Sequence, residues 1–351
     1  MKILEVGRYK KEFAHNVLPF VLEQGESLRA AGCEVDYFPV RGNYFTAVRA
    51  LKAKIRDFHP DIVHAHYGLS GVTAALAVLS LRLSLSSNAP ALVITFHNGE
   101  WHNWHVNLLS SLFARLADHL IYVAPHIREK MYIKHPHYTI LPCGVNMEES
   151  TPTDYRAARA QLGFNPDTYY ILFGGAFSNT RKNVALLREA VELLENKNRE
   201  NTPKIEHPEG RICYPELNIE IIEMKGMDRK TVALYMSACD LFALPTKNEG
   251  SPQALKEAMV CNCPIVATDC ADIAHLLGDL EGHYLLTNKG KSKAEWVGDD
   301  NSIEELRVKI EEAMQLPRGF RTKGRERIIE LGYTNELVAE KLMEVYGRWK
   351  R

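Results

Sequence analysis

The stretch Pro245–Thr268, PTKNEGSPQALKEAMVCNCPIVAT, decides the fold. Leu241–Leu244 (LFAL) runs into it and Pro264–Thr268 (PIVAT) closes it, two apolar runs of strand length. The segment between them reads as a helix. Ser251 stands at the N-cap with Pro252 at the first helical position, Ala254, Leu255, Ala258 and Met259 form an inward stripe, and Cys263-Pro264 ends it. Strand, helix and strand make a βαβ unit, which in an open sheet is almost always parallel and right-handed.

Two carboxylates flank the start of that helix. Glu249 lies on the loop before it, and Glu257 leans back toward it because Cα–Cβ bonds tilt to the helix N-terminus. The same helix mouth carries unpaired backbone N–H groups and the positive end of the helix dipole. Such a mouth suits a ligand with an anionic group and several hydroxyls, as a nucleotide sugar has.

The run Glu249-Gly250-Ser251-Pro252-Gln253-Ala254-Leu255-Lys256-Glu257-Ala258, with a strand and Pro-Thr before it and C-x-C-P-I-V-A-T-D after it, resembles the E-x7-E signature of retaining glycosyltransferases of family 4. The resemblance implies a GT-B fold, two Rossmann-like doubly wound parallel-sheet domains facing a cleft. It implies a donor site in which Glu249 binds the donor sugar, Glu257 the ribose, and the backbone at Ser251, Pro252 and Gln253 the diphosphate.

The chain has 351 residues, long for one core and natural for two domains. With 46% hydrophobic and 25% charged residues it reads as globular, and a net charge of −1 offers no field to attract nucleic acid. Seven cysteines, at 33, 143, 213, 239, 261, 263 and 270, lack the spacing of a disulfide scaffold. One C-x-C without a second pair reads as buried thiols rather than zinc. The opening MKILEV reads as a buried strand rather than a signal peptide, and the apolar run 71–81 is cut by Arg82, short of a membrane span. A cytoplasmic setting is expected.

From the N-terminus, strands at Lys2–Val6 and Val35–Val40 alternate with helices at Leu18–Ala31 and Phe45–Phe58, as in a doubly wound domain. Arg49, Lys52, Lys54 and Arg56 give the second helix a basic face, solvated or drawn to anionic lipid at the inner face of the membrane. The strand Asp61–His66 ends in His64 and His66, on one face of the strand. With no third ligand apparent, they read as hydrogen-bonded histidines rather than a metal pair. Leu92–Thr95 delivers His97, for which the resemblance implies a place in the cleft near the donor sugar, with the family's glycine displaced by one. Trp101, His102, Trp104 and His105 could stack on a sugar or cover a lipid-like acceptor, or pack on the next helix.

Cys143-Gly144-Val145-Asn146 is similar to the family's P-N-G-V-D segment, and a linker is expected at 148–152. The domains expected are therefore 1–150 and 151–332, with 333–351 a helix returning to the first. After the strand Tyr170–Phe173 comes GGAFSNTRKN, Gly174–Asn183. Lys182 matches the family's diphosphate-gripping lysine, Ala176 stands where the arginine belongs, and Arg181 is a neighbouring cation that could replace it. The stretch 195–215 reads as a surface loop. Asn218–Met224 reads as a strand feeding Gly226 and Met227, which by resemblance hold the base, and Asp269–Leu277 resembles the family's D-x-G-G-x-x-E segment without its glycines.

No D-x-D triplet is present, so no metal and no cofactor is expected, and catalytic roles fall to His97, Glu249 and Lys182. The reading is a retaining transfer of a sugar from a nucleotide diphosphate to a glycan or lipid-linked acceptor, in surface polysaccharide biosynthesis. The rivals are a non-catalytic GT-B partner subunit, favoured by the missing arginine and glycines, and a GT-B epimerase or phosphorylase. A dinucleotide-binding dehydrogenase is disfavoured because the glycines at 174 and 175 do not form G-x-G-x-x-G.

Overall fold

The computed structural model describes residues 1–84, 89–99, 103–201, 205–206, 212–213, 217–287 and 300–349. The chain forms two compact units, one of Met1–Asn146 with Gly332–Arg351 and one of Met147–Leu331.

The first unit holds a six-stranded sheet of β1 (Lys2–Arg8), β2 (Glu34–Val40), β3 (Ile62–His66), β4 (Ala91–Phe96), β5 (His119–Tyr122) and β6 (Tyr138–Ile140). Its order is β2-β1-β3-β4-β5-β6, parallel throughout. Every residue of β3, β4 and β5 is buried, as in a parallel sheet covered on both faces, so their polar members His64, His66, Thr95 and His119 are buried with the apolar ones. Successive strand residues face opposite sides. Leu4, Val63 and Leu92 therefore enter one core with Leu51 and Val78, while Ile3, Ile62 and Val93 enter another with Val21, Leu28 and Leu342.

The apolar run at 71–81 is part of the helix Gly68–Leu83, buried over most of its length. At Gly71 an added Cβ would lie 2.9 Å from Ile94 Cγ2, so the glycine lets this helix seat directly on β4. The C-terminal helix Asn335–Gly347 is capped by Thr334, whose hydroxyl accepts from Leu337 N at 3.3 Å. It buries Val338, Ala339, Leu342, Val345 and Tyr346 in the second core of this unit. Leu337, expected in that stripe, is only partly buried.

The second unit holds β7 (Tyr169–Phe173), an antiparallel pair β8 (Ile205–Glu206) and β9 (Ile212–Cys213), then β10 (Ile219–Glu223), β11 (Leu241–Leu244), β12 (Ile265–Thr268) and β13 (His283–Leu286). The main sheet runs β10-β7-β11-β12-β13, parallel throughout. The loop expected over 195–215 is corrected in part: the helix Val184–Asn201 takes up 195–201, and 205–206 pair with 212–213 as β8 and β9, while the rest of the stretch lies outside the described residues. The sequence ENKNRE is polar but made of tolerable helix formers, and polarity alone does not end a helix.

Asp240 is the polar hub of this unit. Its carboxylate accepts from Tyr155 Oη at 2.7 Å, Tyr170 N at 2.8 Å and Arg159 Nη1 at 3.2 Å, and Arg318 Nε lies 3.2 Å away. Among the described residues no helix is long and apolar enough to cross a membrane.

Candidate functional site

In a parallel sheet, ligands collect beyond the carboxyl ends of the strands. Among the described residues of the second unit, the segments 174–183 after β7, 224–228 after β10, 245–252 after β11 and 269–272 after β12 leave those ends. The expected donor-site residues all lie on these segments or on the helix that follows β11, Gln253–Val260.

That helix begins one residue later than expected. Pro252 is its N-cap, with φ −71° and ψ 116°, and no side chain caps it. Proline supplies no donor and its fixed φ suits the position. Nor does Cys263-Pro264 end the helix. The C-cap is Cys261, and Asn262 turns the chain at φ 54°.

Lys182 and Glu249 come together. Lys182 Nζ lies 2.7 Å from Glu249 Oε1, with the two side chains 13% and 9% exposed. Thr246 Oγ1, fully buried, donates to the same oxygen at 3.1 Å. The contact is built by a backbone bond: Arg181 O accepts from Lys247 N at 2.9 Å, with Thr246 Oγ1 3.2 Å from the same carbonyl, which ties the turn Thr180–Lys182 to the loop after β11. The Gly174-Gly175 pair makes room. A Cβ on Gly175 would lie 3.0 Å from Lys182 Cγ, and one on Gly174 would lie 2.6 Å from Phe242 Cζ. Arg181 itself is exposed.

Glu257 has a different partner. Arg229, at the start of the helix Arg229–Ala238, donates from Nη1 to Glu257 Oε1 at 2.8 Å and lies 3.4 Å from Glu149 through Nε. Burial pushes the Glu257 carboxyl above its ordinary range, outweighing the pull of the Arg229 and Lys256 charges. Lys256, fully buried, interrupts the apolar side of its helix. Its charge and the Ser251 hydroxyl act against burial at Asp272, whose carboxyl is nonetheless raised. Arg229, Thr246, Lys256 and Asp272 were missed by sequence reasoning. A lysine beside Leu255 on a buried helix face was the available signal, since a buried charge demands a partner. Gly226, exposed at φ 69°, and half-buried Met227 form the turn before Arg229.

The missing glycines after β12 leave a trace. Ala271, which stands in the family's first glycine position, keeps a glycine-like φ of 59°. A left-handed alanine costs roughly 1–2 kcal/mol, offset in part by glycine's greater unfolded-state entropy. Ala271→Gly is therefore expected to stabilise the second unit by about 0.5–1 kcal/mol in a denaturant titration; a destabilisation would mean that the methyl packs usefully.

In the first unit, His97 follows β4 and is 8% exposed. It belongs to a buried chain of polar groups. Glu5 Oε2 lies 2.7 Å from His66 Nε2, and His66 Nδ1 lies 3.1 Å from His97 Nε2. His64 bonds Tyr346 Oη at 2.6 Å and Thr95 Oγ1 at 2.7 Å. Gln24 Nε2 donates to Glu5 Oε1 at 3.1 Å. The expectation that His64 and His66 lack a third ligand is corrected by Glu5, since candidate ligand atoms of these three buried residues lie within 4.8 Å of one another. Strand β1 lies beside β3 and pairs Glu5 with His64, a neighbourhood set by strand order rather than by sequence distance. Both ring nitrogens of each histidine and both Glu5 oxygens already contact polar neighbours.

Burial drives the His64 pKa down from 6.5 to about 3. A base whose folded pKa is depressed contributes stability that is present above its unfolded pKa and lost as pH falls through the window below it. The first unit should therefore lose stability on acidification from pH 6.5 toward 3. In thermal melts across that range, His64→Gln should flatten the slope, and an unchanged slope would assign it to other groups.

Tyr67, beside His66, has φ 70° and places its ring 4.8 Å from the His97 ring. Trp104 and His105 are in ring contact, with Trp104 58% exposed, while Trp101 and His102 lie outside the described residues. A separate cavity of about 320 Å³ opens at the carboxyl ends of β1 and β2, lined by Arg8, Tyr9, Tyr44, Leu69 and Thr73 among others.

Two parallel-sheet α/β domains of this kind define the GT-B class. The chain is similar to sucrose-phosphate synthase from Thermosynechococcus elongatus at a TM-score of 0.71 and 19% identity, over 99% of this chain and 98% of that one. It is similar to Anabaena HepE in complex with UDP and glucose at a TM-score of 0.71 and 15% identity, over 99% and 100%. At such identities the likeness speaks for the fold alone.

Within that class, residues 11–149 match the model described as Glycosyltransferase Family 4, and residues 168–298 match that described as Glycosyl transferases group 1. The chain belongs to this glycosyltransferase family. D-inositol 3-phosphate glycosyltransferase of Nocardioides sp. is 25% identical to it over 251 residues, 63% of this chain and 55% of the relative. The chain thus spans little more than half the length of that relative.

Proposed function

We propose that the protein is a retaining glycosyltransferase that moves a sugar from a nucleotide diphosphate to a glycan or lipid-linked acceptor, with no metal ion assigned to any step. The observation that carries this reading is the Lys182–Glu249 pair, 2.7 Å apart and nearly buried on the segments that leave adjacent strands β7 and β11. Its ammonium neutralises the diphosphate as the sugar–phosphate bond breaks, together with the backbone N–H groups at Ser251 and Gln253. Arg181, exposed on the same turn as Lys182, is proposed to take the part of the arginine that Ala176 replaces.

Glu249 accepts from the donor-sugar hydroxyls. Glu257, with Oε1 held by Arg229, accepts from the ribose through Oε2, and such charge-assisted bonds are about twice as strong as neutral ones. Gly226 and Met227 present backbone groups to the base. His97 acts beside the donor sugar. In retention, the acceptor hydroxyl attacks from the face that the phosphate leaves, and exclusion of water suppresses hydrolysis. HepE, of the same fold, is bound to UDP and glucose, which makes UDP the first nucleotide to test.

The acceptor is assigned to the cavity lined by Arg8, Tyr9 and Tyr44, whose mix of a cation and aromatic rings suits a sugar carried on a phosphate-bearing lipid. A cytoplasmic setting at the inner membrane face, in surface polysaccharide assembly, accords with the exposed Phe45, Arg49 and Arg56 on one side of the helix Tyr44–Phe58.

The test is a turnover screen of UDP-, GDP-, ADP- and CMP-sugars with lipid-linked acceptors, read by release of nucleotide and by the anomeric configuration of the product. Turnover with retention supports the proposal and inversion contradicts it. Nucleotide binding without turnover on any donor would favour a non-catalytic partner subunit, the reading to which Ala176 points.

A further inference from the structure

We infer that Glu5 is a positioning residue which, through His66, fixes the nitrogen of His97 that carries the proton. The inference rests on the role of His97 proposed above. The three residues lie in or just past three consecutive strands of the sheet, β1, β3 and β4.

Glu5 Oε2 lies 2.7 Å from His66 Nε2, His66 Nδ1 lies 3.1 Å from His97 Nε2, and Cys143 Sγ lies 3.7 Å from His97 Nδ1. Glu5 and His66 are wholly buried and His97 is 8% exposed, so water does not compete with these bonds. Burial works against its charge, yet the Glu5 carboxyl stays below its ordinary range, and the bonds it accepts from His66 Nε2 and Gln24 Nε2 favour the ionised form without a charge on either ring.

An ionised carboxylate only accepts, so His66 Nε2 carries a proton. In a neutral His66 the lone pair is then on Nδ1, and the proton between the two rings belongs to His97 Nε2. His97 Nδ1 is left as the acceptor, and the Cys143 thiol donates to it. Gln24, donating to Glu5 Oε1 at 3.1 Å, keeps the carboxylate turned toward His66. A histidine's reactivity depends on which nitrogen is protonated, and that is set by the bond its other nitrogen makes. Here the setting group is two side chains away.

The first arm of the test needs no variant. Long-range 1H–15N spectra of the 15N-histidine-labelled protein should show His97 protonated at Nε2 and bare at Nδ1; protonation at Nδ1 overturns the inference. In the second arm, Glu5→Gln should give mixed tautomers at His66 and His97. Turnover should fall by roughly 10- to 100-fold, the usual worth of a group that orients a functional histidine. Donor KM should stay within about twofold, since donor contacts are untouched. Glu5→Asp, which keeps the carboxylate, should recover part of the loss. Unchanged tautomers and unchanged turnover in a folded Glu5→Gln variant would sink the inference. Full turnover in His97→Ala would instead remove the proposed role of His97, while the wild-type spectra would still report whether the chain of bonds sets the tautomer.

Discussion

Lys182→Ala is expected to lower turnover by roughly 100- to 1,000-fold, the usual cost of removing one preorganised group that stabilises developing negative charge. The substitution does two things. It removes the ammonium proposed to meet the leaving diphosphate, and among the described residues it leaves Glu249, 9% exposed, with the Thr246 hydroxyl at Oε1. Stranding one partner of a buried pair costs about 3–5 kcal/mol, so the variant should also melt earlier. Those effects separate in the double variant Lys182→Ala/Glu249→Ala. Removing both charges should recover most of the stability and none of the turnover, as read by calorimetric melts beside a nucleotide-release assay. If the double variant melts no later than the single one, the pair is not the stabilising unit described here.

Asp240→Ala should be the most damaging change away from the site. It removes the acceptor shared by Tyr155 Oη, Tyr170 N and Arg159 Nη1, and leaves Arg159, only 7% exposed, as an uncompensated buried charge. A loss of about 3–5 kcal/mol is expected. In a unit of this size that shifts the melting temperature by on the order of 10 °C. Asp240→Asn keeps an acceptor for one or two of these donors and should fall between. A melt of Asp240→Ala within a degree or two of wild type would mean that the hydrogen bonds to Asp240 add nothing beyond their desolvation cost.

What could be read from the residues alone depended on how local its cause was. Leu241–Leu244 and the strand ending at Thr268 were legible because strands buried on both faces in a parallel sheet are unbroken apolar runs, and the helix between them carried a 3.6-residue stripe. The nearness of Lys182 to Glu249 was legible only through resemblance, because it depends on the bond from Lys247 N to Arg181 O, which no sequence window contains. Arg229 was invisible for the same reason: its partners lie 28 residues ahead and 80 behind, at Glu257 and Glu149.

Glu5 offered a signal that went unused. A lone carboxylate inside ILEV, within a buried strand, requires a hydrogen-bond partner, and the histidines at 64 and 66 were the candidates. The one-residue error at Ser251 is of the ordinary kind at helix ends. Pro252 takes the cap position, and its fixed φ suits the extended cap conformation.

A nucleotide diphosphate is expected to bind among Lys182, Glu249 and Glu257, and calorimetric titration of UDP, GDP and ADP into wild type, Lys182→Ala and Glu257→Ala tests that most directly. The expected result is binding of at least one nucleotide by wild type, weakened in each variant while both remain folded. An affinity unchanged in both variants would contradict it and move the donor site elsewhere on the protein.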